Sequence, residues 1–168
     1  GGQAAFWGRA GRDLAGEAMK RELVAEGVDA SGLTLIDGAQ SSLSAIIIDG
    51  QGERQLVNFR GDLPDEADWL PLNQVANASA VLVDPRWPTG ALALFRAARA
   101  AGVPTVLDGD VTETDAFQHL LPLTNHAIFS ENGLAQFNGL GIEDGLAHAA
   151  AFGCRIVAVT RGEEGVTW

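Results

Sequence analysis

Four times between residues 80 and 165 the chain writes a short apolar run and ends it on a polar turn: "AVLV" into "DPRW", "PTVL" into "DGD", "AIF" into "SENG" and "RIVAV" into "TRGEEG". Near-continuous apolar runs, rather than alternating ones, suit strands covered on both faces. This predicts strands over 80–84, 104–108, 126–129 and 155–159. Between them the apolar spacing turns helical, over 90–101 with Gly102 to close it, and over 131–138 and 143–151. Thr112, with Asp115 three residues on, has the spacing of a capping box and predicts a further short helix. Strands alternating with helices leave room for little but an α/β fold: a mostly parallel central sheet with helices on both faces.

The first seventy residues read differently. Asp13 is placed to cap a helix over 13–26 in which Ala15, Met19 and Leu23 share a face, and Gly27 to end it. "SLSAIII" (42–48) and "ERQLVNF" (53–59) read as two strands joined by "DGQG", where the Asp-Gly pair favours the positive φ of a hairpin turn. "GRAGRDLAG" (8–16) has the wrong spacing for a dinucleotide fingerprint and no strand of any length before it.

Charge narrows the partners. A net charge of -11 repels phosphate backbones and anionic lipid, which argues against nucleic acid and membrane surfaces and for a small metabolite. The single cysteine, Cys154, lies in an apolar run and reads as a buried reduced thiol. No apolar stretch approaches a bilayer span and the N-terminal residues do not read as a secretion signal, so the expected compartment is the cytoplasm. The chain starts on Gly1 and stops at Trp168 with no closing helix, which is read as part of a longer polypeptide.

Ligands of parallel α/β sheets bind beyond the carboxyl ends of the strands, so the four polar turns are the places to look for chemistry. Arg86, after Pro85, offers a planar fork of donors for phosphate, sulfonate or carboxylate, against the plainer reading of a salt bridge to Asp84 or another acid. Trp87 reads as packing before it reads as a sugar platform. Asp108 and Asp110 flank Gly109 as a hinge and are suited to a hydroxyl or a hydrated magnesium ion. In "VTRGEEGV", Thr160 with Gly162 and Gly165 would let backbone amides approach a polyphosphate; the plainer reading is a hairpin turn into "GVTW". His119, His126 and His148 have no metal-ligand spacing.

Taken in order, "FWGRAGRDLAGEAMKRELVAEGVD", "SAIIIDGQGERQLVNF", "VPTVLDGD" and "VAVTRGEEGV" resemble the ribokinase-like (PfkB) carbohydrate kinases over essentially the whole chain. "VDPRW" and "HAIFSENGLA" are most similar to the sulfofructose kinase branch, whose substrate is a sulfonated ketohexose. The resemblance implies a three-layer α/β/α fold with a small β lid: a kinase body of residues 1–33 and 62–168, and a lid hairpin of 34–61. It implies transfer of the γ-phosphoryl of Mg2+-bound ATP to a sugar hydroxyl, with ATP and Mg2+ as cofactors and a homodimer formed through the lid. Gly1 and Gly2 resemble a sugar-binding Gly-Gly loop, Asn58 a substrate contact on the lid, and Arg86 an anion clamp. Asp108 and Asp110 complete the substrate candidates. Ser130, Thr160, Gly162 and Gly165 are the nucleotide candidates, and Glu131 is the candidate for the metal shell. The Asn-x-x-Glu element of the family is replaced here by Ser130-Glu131-Asn132-Gly133. The Gly-Ala-Gly-Asp motif with its catalytic Asp does not occur up to Trp168, so no catalytic residue is assigned within this sequence. A non-catalytic sugar-binding or regulatory module of the same fold is the alternative.

Overall fold

In the computed structural model, which describes residues 2–112 and 115–168, the chain divides into two units, Gly1–Leu70 and Pro71–Trp168. Gly8–Gly11, where no strand was expected, forms strand β1 and pairs in parallel with β2 (Leu33–Ile36). The two are joined through helix α1 (Leu14–Ala25), so the first unit contains a βαβ crossover of its own. Glycine-rich "GRAG" lacks the branched residues that mark strands. It is drawn into the ladder by tertiary contact, with Ala10 buried against Ala30 and Leu33 while Met19 and Leu23 of α1 pack alongside. Asp13 caps α1 as expected: its carboxylate accepts the Gly16 amide at 2.9 Å.

A second, separate sheet in this unit pairs β3 (Leu43–Ile48) with β4 (Arg54–Phe59), antiparallel, Leu43 opposite Phe59 and Ile48 opposite Arg54. The positive φ of the connecting turn falls on Gly52 (87°), not on Gly50 of the Asp-Gly pair. The Asp49 carboxylate accepts the amides of Gln51 and Glu53, and the Asp49 amide bonds to the Glu53 carbonyl. The loop is therefore the three-residue kind, whose left-handed residue comes last.

The second unit is a five-stranded sheet in the order β5-β6-β7-β8-β9: Val81–Val83, Thr105–Gly109, His126–Ser130, Ile156–Thr160 and Val166–Thr167. The first four are mutually parallel and β9 is antiparallel at the edge. Helix α2 (Pro88–Ala101) follows β5, starting on Pro88 and closing on Gly102 at φ 71°. Helix α3 (Ala116–Leu120) follows β6; α4 (Glu131–Asn138) and α5 (Ile142–Ala150) follow β7. Thr112 does not open α3. It is buried, its hydroxyl donating to the Pro85 carbonyl and its amide to Gln136, while Asp115 occupies the cap position without a capping bond from its side chain to a helix amide. Thr112 thus closes one strand-end loop onto another.

The sheet row of Val83, Leu107, Ala127 and Val157 faces the helices, and with Phe95, Phe117, Leu120, Phe129 and Leu134 it makes the main core. Each large side chain fully buried here contributes about 1.5–3 kcal/mol. The row one residue earlier along the strands is more open, with Leu82 and Ile156 exposed. Gly109 sits beneath Phe129, whose ring would lie 2.5 Å from a Cβ, so it is a packed strand residue and not the hinge its flanking acids suggested. The Cys154 thiol is half-buried, and burial pushes its pKa up, as expected of an inert thiol. His119 pairs with Asp115, and His148 stacks on Phe152.

Candidate functional site

The parallel register brings the strand-end candidates of the second unit to one edge of its sheet. Leu107 lies beside Val83, Gly109 beside Phe129, and Ser130 beside Thr160, so the turns after β5, β6, β7 and β8 open side by side. Asp84 shapes the first of them by accepting the Arg86 amide at 2.7 Å. The Arg86 guanidinium then crosses to the next turn, where Nη2 donates to Asp110 Oδ2. The salt bridge weighed as the plainer reading for Arg86 is therefore present, but with Asp110 and not Asp84. The other oxygen of Asp110 accepts the Ser130 hydroxyl at 3.0 Å, and that same hydroxyl oxygen accepts the Gly133 amide at 3.0 Å to cap α4. A chain of bonds from Arg86 through Asp110 and Ser130 to a helix start thus links three strand ends. Close packing sets it: a Cβ at Gly133 would lie 1.9 Å from the Gly109 carbonyl oxygen.

The two carboxylates titrate apart. Burial pushes Asp108 up, helped by the charges of Asp110 and Asp84 and opposed by Arg86. Burial pushes Asp110 up as well, but the Val111 amide, the Ser130 hydroxyl and the Arg86 guanidinium outweigh it and hold Asp110 below the usual carboxylate range. Asp110 is accordingly the fixed anion that aims Arg86. Asp108, with its side chain open to solvent, is suited to accept a hydrogen bond from a hydroxyl.

Beside this group, Thr160 donates to the Phe129 carbonyl at 3.3 Å. After it the chain makes a tight turn, Gly162–Glu164, into β9, with positive φ at Gly162 (53°) and Gly165 (85°). The expected hairpin is present, and a Cβ at either glycine would meet nothing within 4 Å, so that side of the turn has room for a ligand. Glu131, first residue of α4, accepts Arg161 Nε at 3.3 Å. Arg161 received no role from the sequence; adjacency to Glu131 needs the β7–β8 register, which spacing alone does not give. Trp87 packs over Gly90 at the start of α2, the packing reading expected of it.

The remaining candidates belong to the first unit. Asn58, on β4, accepts the hydroxyl of Ser44 across the hairpin at 2.7 Å. Gly2 is exposed with open space around it, and Gly1 lies outside the described residues. Among the described residues no group of three His, Cys, Asp or Glu side chains could hold a metal ion.

A four-stranded parallel run with crossover helices and an antiparallel edge, its polar turns gathered at the carboxyl ends, defines a ribokinase-like α/β fold. The family model of the pfkB family carbohydrate kinases matches residues 1–168, and the chain belongs to that family. It is 27% identical to the ATP-dependent ribose-1-phosphate kinase of Halopiger xanaduensis, over 96% of this chain and 54% of the relative. An Agrobacterium tumefaciens chain assigned to the ribokinases superposes with a TM-score of 0.85 at 38% identity, over 99% of this chain and 55% of that one. An E. coli chain assigned as Ribokinase II, solved with ATP and Mg2+, superposes with a TM-score of 0.82 at 17% identity, over 99% of this chain and 59% of that one. The chain thus spans between half and three fifths of the length of these relatives.

Proposed function

We propose that this chain contributes sugar- and nucleotide-binding residues to an ATP-dependent carbohydrate kinase, which passes the γ-phosphoryl of ATP to a sugar hydroxyl and releases ADP. Family membership across residues 1–168 supports a kinase over a non-catalytic sugar-binding module. The sugar is an anionic ketohexose, a 6-deoxy-6-sulfofructose-like compound in the finer reading. The observation that carries this is Arg86: its side chain is 44% exposed, in a chain of net charge -11, with Asp110 holding one edge of the guanidinium at the strand ends. A planar fork fixed on one side presents its remaining donors to a sulfonate or phosphate. That the Halopiger relative acts on a sugar phosphate supports an anionic acceptor.

In this mechanism Asp108 accepts a hydrogen bond from a sugar hydroxyl and Arg86 fixes the anionic end. Ser130, Thr160, Gly162 and Gly165 border the nucleotide, the glycines letting its phosphates approach the backbone of the turn. When bound, Mg2+ would supply charge neutralisation on the transferring phosphoryl, and Glu131 is the residue proposed to meet its hydration shell. Residues 34–61 are the lid element and 1–33 with 62–168 the kinase body, and two lid hairpins pair in a homodimer.

Calorimetric titration of neutral, phosphorylated and sulfonated ketohexoses tests the clamp. Wild-type protein prefers an anionic sugar, and Arg86→Ala loses at least about tenfold in that affinity while ATP binding is unchanged. Equal affinity for neutral and anionic sugars, or equal weakening of sugar and ATP, contradicts it.

A further inference from the structure

Arg161 ties the glycine turn after β8 to the start of α4. Its Nε donates to Glu131 Oε1 at 3.3 Å and its Nη2 to the carboxylate of Glu164, and only 30% of its side chain is exposed. The backbone of the turn is built on the same residue: the Arg161 amide donates to the Gly165 carbonyl at 2.8 Å, and the Glu164 amide to the Arg161 carbonyl at 3.0 Å. One guanidinium therefore braces the turn that carries Gly162 and Gly165 against the helix that carries Glu131.

The charges make this more than a brace. Glu131, Glu163 and Glu164 put three carboxylates around a turn that, on the kinase reading, receives a polyphosphate. Unopposed, they repel it; Arg161 is bonded to two of the three. An isolated surface ion pair is worth little. An arginine shared by two acids from different elements, at the mouth of an anion site, acts on the ligand through the field it cancels and the amides it holds.

We infer that Arg161 is a positioning residue for the nucleotide: it neutralises Glu131 and Glu164 and fixes the glycine turn so that a magnesium-bound polyphosphate can approach. This rests on the kinase reading above. The test is the dissociation constant of Mg-ATP, and of Mg-AMP-PNP as a non-reacting probe, measured by calorimetry on the polypeptide from its complete gene, alongside the sugar affinity. Arg161→Met weakens nucleotide binding about tenfold with the sugar affinity unchanged. Arg161→Lys retains part of it, and adding Glu164→Gln to Arg161→Met recovers part of the loss, because the defect includes uncompensated negative charge on the turn. Nucleotide binding by Arg161→Met equal to wild type, loss of sugar and nucleotide affinity together, or no recovery in the double variant overturns the role of Arg161. Wild-type protein that takes up neither nucleotide overturns the kinase reading, and this inference with it.

Discussion

Asp13 ties together three stretches of the first unit. One carboxylate oxygen accepts the Gly16 amide at 2.9 Å and the Ser41 hydroxyl at 2.8 Å; the other accepts the Ser41 amide at 2.8 Å. The Ser41 hydroxyl in turn takes the Gly11 amide at 2.9 Å, so β1, the start of α1 and the segment leading into the hairpin meet at a single acid. Donation from the Gly16 amide first, then from the Ser41 amide and hydroxyl, lowers the Asp13 pKa to about 2. A carboxylate whose folded pKa is depressed stabilises the fold above its unfolded pKa, and the contribution fades as pH falls through the folded one. Asp13→Ala is therefore expected to lower the urea midpoint at pH 7, with the gap to wild type narrowing between about pH 4 and about pH 2. A gap that stays constant over that range removes the carboxylate from the account. The capping half of this cluster is legible in "GRDLAG", where an acid precedes a helical pattern. Its bond to Ser41, 28 positions away, becomes visible only once β1 and β2 are known to pair.

At the scale of elements, the hairpin has two unlike faces. The strand period puts Leu43, Ala45 and Ile47 beside Phe59, Val57 and Gln55 on one side, and Ser44, Ile46 and Ile48 beside Asn58, Leu56 and Arg54 on the other. Leu43, Ile47, Val57 and Phe59 are all exposed, which leaves one face almost wholly apolar, while the opposite face carries Asn58. A homodimer built on the apolar face keeps Asn58 available for a ligand. Sedimentation of wild type is expected to give a dimer mass, and Ile47→Lys with Val57→Lys a monomer; a wild-type mass that stays monomeric as concentration rises sinks the pairing. The sequence announced this hairpin and the β5 to β8 alternation because their apolar patterns are long and bounded by turn residues. It hid β1 because four residues with two glycines carry no period, and it misdirected the start of α3 because Thr112 had a tertiary partner, the Pro85 carbonyl, that outranks a local cap. The strand-end candidates were legible as polar residues after apolar runs. Their pairing was not, since Arg86 and Asp110 lie 24 positions apart and meet through the β5–β6 register.

For the whole molecule, the informative quantity is the contrast between global and local charge. A chain of net charge -11 keeps anions at a distance over most of its surface, yet at the strand ends it places Arg86 and Arg161, each held by acids that fix its direction. On the proposed reading, Arg86 would serve the sugar and Arg161 the nucleotide. Among the described residues no helix is long and apolar enough to cross a membrane. The family match extends from residue 1 to residue 168, while the relatives named above are longer. The central claim, phosphoryl transfer to an anionic sugar, is therefore best tested on the polypeptide from the complete gene. The direct measurement is transfer of radiolabelled γ-phosphate from Mg-ATP to a panel of neutral, phosphorylated and sulfonated ketohexoses. Labelled product with an anionic ketohexose, and markedly less with its neutral counterpart, is the predicted result; no labelled sugar from any member of the panel would contradict it.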